Sequence, residues 1–397
     1  MSTEKAINTT STMRTKVLLL LSTGHLVTDL AAGALPVLLP VIQAALNLSY
    51  GAAGVVSLIF NISSSVLQPL LGLWSDKIKA RWLLPTGSIL SMIGLALAGI
   101  VSNYWLLLAV VFLSGIGSAS YHPEASKVSR LASGHRRTTG MSLFIVGGAL
   151  GAAIGSVVMA QLLMKFDRFA SIYFLVPGII MVMLFFIYNK KLPDEPGGVI
   201  TGDINTNVKI PRNVMVSLTV LVVLIIIRSW IQSGLLYFMP LYWVNHLGKN
   251  PDYVSSLVVS FMLAGAIGTL VGGPLADRFG RKNSLVTSTA LLVPLLLLLK
   301  FSTGAWPMII LFITGMVIVS TMATTVVMGQ EMLPHRIGVA SGLMTGFAIG
   351  MGGVGVTVLG TIADHYGVDS ALWILTLMPL AAFALSLFLP KDSVQQE

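Results

Sequence analysis

A handful of ionisable residues sit where an apolar chain can least tolerate them, and their spacing suits them to chemistry. His25 and Asp29 are four residues apart, so they share one helical face, with Ser22 and Gly33 continuing a polar stripe. An ionisable group at membrane depth is costly and marks a proton relay or ligand site by default. Asp29 is therefore read as a proton carrier or gating group, the other reading being a carboxylate held permanently against a basic partner as structural glue. Tyr121-His122-Pro123-Glu124 places a proline between a histidine and a carboxylate. Proline removes a backbone donor, so His122 and Glu124 form a second proton or substrate site. Glu124 equally suits a polar helix end paired with Lys127 or Arg130. Arg228, with Gln232 four residues on, is the basic residue in the middle of an apolar run. It keeps its charge, so it must be paired or face water. An anionic substrate would satisfy it bidentately, and so would a fixed partner such as Asp29.

Weaker signals surround these. Asn61, Ser65 and Gln68 make a polar stripe before Pro69, and Trp230 and Tyr237 accompany Arg228. Such groups line a pocket or simply pack. Gln330 and Glu331 come just before Pro334 and Arg336, which suits a gate or a loop anchor. No metal or cofactor site is expected, because one His beside one Glu lacks the ligand number and spacing. No P-loop, nucleophile elbow or HExxH is present, so neither an enzyme nor a self-contained ATP-driven pump is indicated.

The elements that must position these residues are membrane helices. Of 397 residues, 55% are hydrophobic and 10% charged, where soluble chains carry about a quarter charged. Cysteine is absent, so there is no disulfide or thiolate framework. The apolar run from Val17 past Val41 is too long for a signal h-region and reads as a first span. Twelve spans of about 20 residues or more follow in order: 16–43, 51–75, 82–101, 104–129, 138–164, 169–188, 213–244, 253–276, 284–301, 305–332, 337–363 and 368–389. Pro36 and Pro40 predict a break in the first. The expected organisation is a tail at 1–15, a six-helix half at 16–188, a polar linker at 189–212, a second half at 213–389 and a tail at 390–397. Of the 24 Lys and Arg residues, 19 fall on the side that carries both termini and four on the other. By the positive-inside rule both termini are cytoplasmic. Basic residues spread over many short loops do not make a nucleic-acid surface.

One loop is written twice. Gly72, Asp76 and Arg81 recur as Gly273, Asp277 and Lys282, each 201 positions later, and the second copy also holds Arg278, Gly280 and Arg281. Tandem halves of like topology are the layout of a rocking transporter with its cavity between them. The aspartate can accept from the free N–H groups at a neighbouring helix N-terminus, which would make each copy a cytoplasmic latch or a static anchor. Two glycine ladders, Gly147/Gly151/Gly155 and Gly346/Gly350, let helices pack with backbones close.

Gly273–Lys282 resembles the cytoplasmic-loop signature of the major facilitator superfamily. The first copy departs from it, with Lys79 in place of the second glycine. Gly24–Asp29, Tyr121–Val128, Gln330–Pro334 with Arg336–Gly338, Gly350–Gly353 and Ala363–His365 are similar to the fosmidomycin-resistance family of bacterial drug exporters. The resemblance implies an all-α bundle of twelve helices in two pseudo-symmetric halves. It also implies a monomeric multi-pass protein of the bacterial cytoplasmic membrane that exchanges protons for small, anionic drugs such as phosphonates. Its partners would be the substrate, protons and the lipid bilayer. Import of an organic anion with protons is the alternative. Ser156 stands where antiporters of this superfamily usually carry a proline, and the arginine common in their fourth span has no counterpart.

Overall fold

The structure is a computed structural model that describes residues 12–78, 80–193 and 210–391. Most of the expected tails and linker, and Lys79, lie outside the described residues. Among the described residues every regular element is helical. Twelve helices account for the fold: α1 (Thr15–Ala45), α2 (Gly51–Lys77), α3 (Leu83–Ala98), α4 (Tyr104–Ala132), α5 (Arg137–Phe166), α6 (Leu175–Tyr188), α7 (Arg212–Leu241), α8 (Pro251–Phe279), α9 (Arg281–Phe301), α10 (Trp306–Met332), α11 (Ile337–Tyr366) and α12 (Val368–Leu387). Among the described residues, ten helical stretches are long and apolar enough to cross a membrane; one of them contains both α5 and α6, and α3 is a shorter apolar helix. Phe186, Ile187, Trp105 and Phe301 are among many large apolar side chains left exposed. That surface suits lipid, where only elements with internally satisfied backbones can stand. The protein is an all-α multi-pass membrane protein.

The starts of α2 and α4 are capped as their sequences allow. Ser49 accepts from the Ala52 N–H at 3.1 Å, and Asn103 accepts from the Trp105 and Leu106 N–H groups at 2.9 and 3.2 Å. Two expectations are corrected. The helix does not break at Pro36 or Pro40: α1 runs on through both to Ala45. Each proline removes one N–H, a loss a membrane helix packed among neighbours absorbs. The sixth span begins later than 169, because Asp167–Phe174 forms a 3-10 helix before α6. The irregular turns fall elsewhere: at the π segments Ile62–Val66, Tyr242–His246 and Gly342–Phe347, and at Thr321, which divides α10.

Two compact units emerge, one of residues 1–209 with His335–Val339, the other of 210–334 with 340–397. In the first, α1 packs along α5, α2 along α4, and α3 against α4 and α6. In the second, α7 packs with α11, α8 with α10, and α9 with α10 and α12. The second set repeats the pairing of the first, helix for helix. Glycines bring the α1–α5 pair together. A Cβ at Gly147, Gly151 or Gly155 would strike the carbonyls of Ser22, Leu26 or Leu30, and one at Gly33 would strike Ala152. Ser156 donates to the Gly33 carbonyl at 2.9 Å and ties the same pair across its far end. The Gly147 ladder therefore serves close packing in this structure.

Candidate functional site

The close α1–α5 contact and the adjoining α4 build one polar cluster in the first unit. Asp29 stands at its centre. Its Oδ2 is 3.2 Å from His25 Nε2, and its Oδ1 is 3.2 Å from His122 Nε2. The two Nε2 atoms are themselves 3.0 Å apart. The far nitrogen of each ring faces a backbone carbonyl: His25 Nδ1 lies 2.9 Å from Phe144 O and His122 Nδ1 lies 2.6 Å from Ser118 O. Phe144 also stacks on the His25 ring, with centroids 4.4 Å apart. Tyr121 closes the base of the cluster, fully buried, and donates its hydroxyl to Leu21 O at 2.6 Å. Gly148 leaves the space that the cluster fills, since a Cβ there would strike His25 Nε2 and crowd Asp29 Oδ2.

The three donor atoms of His25, Asp29 and His122 lie within 4.8 Å of one another, close enough to share one small cation. The sequence paired His25 with Asp29, and His122 with Glu124. The structure brings His122 to the first pair instead. Residues two apart on a helix point to opposite sides, so Glu124 turns away from that pair. It is wholly buried, accepts from Ser75 Oγ at 2.5 Å and pairs with Lys127 Nζ at 2.8 Å. This is the ion-paired alternative expected for it. Lys127 also donates to the Ser75 carbonyl at 3.1 Å, joining α4 to the end of α2.

The second unit holds Arg228. Thr321 interrupts α10, which leaves the last carbonyls of Trp306–Ser320 without helical partners. Arg228 on α7 fills that gap by donating to Ile318 O and to Thr321 Oγ1. A guanidinium at a helix C-terminus is also favoured by the dipole. Arg228 Nε is buried and has no hydrogen-bond partner among the described residues. Beside it lies a cavity of about 130 Å³, lined by Arg228, Ser229, Gln232, Ser233 and Thr325 together with apolar side chains. That is room for about four waters, or a small anionic headgroup. Trp230 does not line this cavity; its ring packs on Gly355 and its indole N–H is buried with no hydrogen-bond partner among the described residues. Tyr237 is exposed and packs on Phe238, Asn61 is exposed and donates to Ser57 O, and Gln68 is buried and donates to Ser64 O.

The repeated loop is resolved in two ways. In the first copy, Asp76 accepts from the N–H groups of Gly338 and Val339 at 2.8 and 3.0 Å, at the start of α11. Gly72 makes this approach possible, for a Cβ there would strike the Gly338 carbonyl. Arg81 donates to Pro193 O. In the second copy, Arg281 pairs with Glu331 at 2.5 Å and Lys282 donates to Leu387 O at 2.8 Å. Gly280 has φ +91°, a conformation that side chains disfavour. Arg278 lies over the Phe279 ring, and Gly273 is buried while Asp277 and Arg336 are half-buried.

Several contributors have signals that sequence reading did not use. Ser118 is one turn before His122, and Gly148 is one turn after Phe144. Thr321 carries no signal that would mark it as a break.

A family model described as Major Facilitator Superfamily matches residues 21–250 and 221–397. The chain is 30% identical to the fosmidomycin resistance protein of Escherichia coli (strain K12), over 94% of this chain and 92% of that one. It is also 30% identical to the uncharacterized MFS-type transporter YfnC of Bacillus subtilis (strain 168), over 99% of this chain and 97% of that one. Among solved structures, the E. coli fucose:proton symporter FucP superposes with a TM-score of 0.77 at 19% identity, covering 94% of this chain and 98% of that one.

Proposed function

The chain belongs to the major facilitator superfamily, and from that premise we propose that this transporter exports small anionic compounds, fosmidomycin-like phosphonates among them, in exchange for protons. The observation that carries the proton half of this reading is the buried His25–Asp29–His122 cluster. Buried imidazoles against a carboxylate at membrane depth are what a proton relay requires. The anion half is supported by the Arg228 cavity and by the similarity to a fosmidomycin resistance protein. The protein works as a monomer in the bacterial cytoplasmic membrane with both termini in the cytoplasm, and its two halves alternate access to the substrate.

The test is uptake of radiolabelled fosmidomycin into inside-out vesicles with an acid lumen. Exchange drives the drug inward as protons leave, and the drug accumulates only while the gradient lasts. Gradient-driven loss from preloaded vesicles would instead mark import with protons. No movement either way, with folded protein in the membrane, would remove the substrate. Arg228→Met is expected to lower accumulation about tenfold or more, since charge-assisted bonds to an anion contribute about 1.5–3 kcal/mol each. Arg228→Lys is expected to recover only part of it, because an ammonium lacks the planar fork.

The Asp76 contact is read as a latch that forms and parts during transport. Gly72→Leu would hold α2 away from the start of α11. The expected result is inserted protein of normal abundance whose uptake is close to background. Full uptake in that variant would reduce the contact to a static anchor.

A further inference from the structure

We propose that His25, Asp29 and His122 form a binding site for one divalent transition-metal ion of the zinc, cobalt or nickel class. Such a site goes beyond the proton-coupled reading above and does not depend on it. A backbone carbonyl only accepts hydrogen bonds. His25 Nδ1, facing Phe144 O at 2.9 Å, and His122 Nδ1, facing Ser118 O at 2.6 Å, are therefore the nitrogens that carry hydrogen. A bond from one ring nitrogen to a carbonyl fixes the ring and leaves the other nitrogen as a metal ligand. Both rings have that bond, and Phe144 stacked on His25 holds the tilt of that ring as well.

The two Nε2 atoms lie 3.0 Å apart while the ring centroids are 4.7 Å apart, so the rings turn these nitrogens toward each other. The Asp29 carboxylate reaches both, with Oδ2 3.2 Å from His25 Nε2 and Oδ1 3.2 Å from His122 Nε2. Three electron-pair donors from two helices thus share one small space. Ligands bound to one ion at about 2.0–2.1 Å, at octahedral to tetrahedral angles, stand about 2.9–3.4 Å from one another. Hydrogens on both Nε2 atoms would serve the two carboxylate contacts but would set two N–H groups against each other at 3.0 Å. One cation serves all three contacts at once, and Asp29 offsets part of its charge.

The donor set selects the ion. Two imidazoles and one carboxylate suit zinc and its neighbours, whereas magnesium and calcium favour sites made of oxygen. Three protein ligands leave at least one coordination position for water or for an oxygen of a bound anion. Asp29 keeps 19% of its side-chain surface exposed, against 9% and 10% for the histidines, so the open position lies beside the carboxylate. Gly148 keeps α5 from closing the site, since a Cβ there would crowd His25 Nε2 and Asp29 Oδ2, two of the ligand atoms. Adjacency along the chain offered Glu124 as the neighbour of His122, one ligand too few. Helix rotation supplies two ligands from α1 instead, so the ion would clip α1 to α4. It would also take the Nε2 electron pairs that a transported proton needs.

The experiment is equilibrium binding of zinc and cobalt(II) to tag-free, full-length protein in nanodiscs, stripped beforehand with a chelator. The wild type is expected to bind one ion per chain, undisturbed by millimolar magnesium, with two imidazoles counted by X-ray absorption at the zinc edge. His25→Ala, His122→Ala and Asp29→Asn should each weaken binding by at least the about 10–100-fold that a partner of a ligand is worth. His135→Gln and His365→Gln, at exposed positions, should leave it intact. Thermal midpoints check folding: zinc should raise that of the wild type and not those of the three ligand variants. The ligand count at the zinc edge is read on the wild type and needs no variant. No saturable binding by folded wild type, a site retained in His122→Ala, or a zinc edge without imidazole would each overturn the proposal. Fosmidomycin uptake into vesicles reads the proposed function separately. Zinc bound with no gradient-driven uptake would sink fosmidomycin export and leave the metal site standing, and uptake with no zinc bound would do the reverse. Where both occur, saturating zinc is expected to stop uptake; uptake untouched by it would place the proton elsewhere and leave the metal site standing.

Discussion

Asp29→Asn is expected to bring gradient-driven uptake down to the level of vesicles without the protein, at normal abundance in the membrane. Asparagine is isosteric, so the close α1–α5 contact is kept. It removes the negative charge on which both Nε2 atoms converge. Breaking one side of a buried charge pair costs about 3–5 kcal/mol, which is about a hundredfold or more in any equilibrium that depends on the pair. The amide also presents an N–H₂ group to one ring. It can therefore shift the rings from their present contact while leaving the fold intact. Measuring uptake beside a membrane-protein assay of amount and thermal stability separates loss of coupling from loss of folding. Retained uptake in Asp29→Asn would exclude the carboxylate from coupling.

Gly148→Val is expected to have an effect of the same size by a different route. No ionisable group is replaced. The added Cβ meets His25 Nε2 and Asp29 Oδ2, and the branched side chain has no free rotamer in a helix packed this closely. The ring of His25 must swing away or α5 must shift from α1. Overpacking of this kind costs about 1–3 kcal/mol, so the variant should insert but melt several degrees lower. The prediction specific to the site is that its uptake is lost while Gly353→Val, whose Cβ would meet open space, keeps wild-type uptake. Equal losses in the two variants would make the effect one of general packing.

Much of this was readable from residue types. The repeat of Gly72, Asp76 and Arg81 gives the two-half organisation, and the apolar runs give the helices, because in lipid a backbone has few other ways to satisfy its polar groups. The Asp76 contact was also legible: a carboxylate after a close-packing glycine seeks free N–H groups, and Gly338 and Val339 supply them. The pairing of His122 with Glu124 was misread because adjacency along the chain hides the helical turn. Which of two neighbours faces α1 depends on helix rotation, and that is set by packing of Gly87 and Gly117 between α3 and α4. The role of Arg228 depended on a break at Thr321, a residue that ordinarily continues a helix. Pro36 and Pro40 misled in the opposite sense, since a proline kink needs room and α1 has little.

The cluster also constrains how the chain is made. His25 finds Phe144 across 119 positions and His122 across 97. When α1 first meets the insertion machinery, α4 and α5 are still unsynthesised. Asp29 then enters with only His25 for company, and an aspartate at the centre of a helix opposes insertion by about 2.5–3.5 kcal/mol. The leucines and valines that crowd Val17–Leu21 and Pro36–Ile42 must outweigh it on their own. A first helix of 31 residues, longer than the bilayer needs, gives α1 the apolar length to carry its charged group into lipid and wait there for its partners.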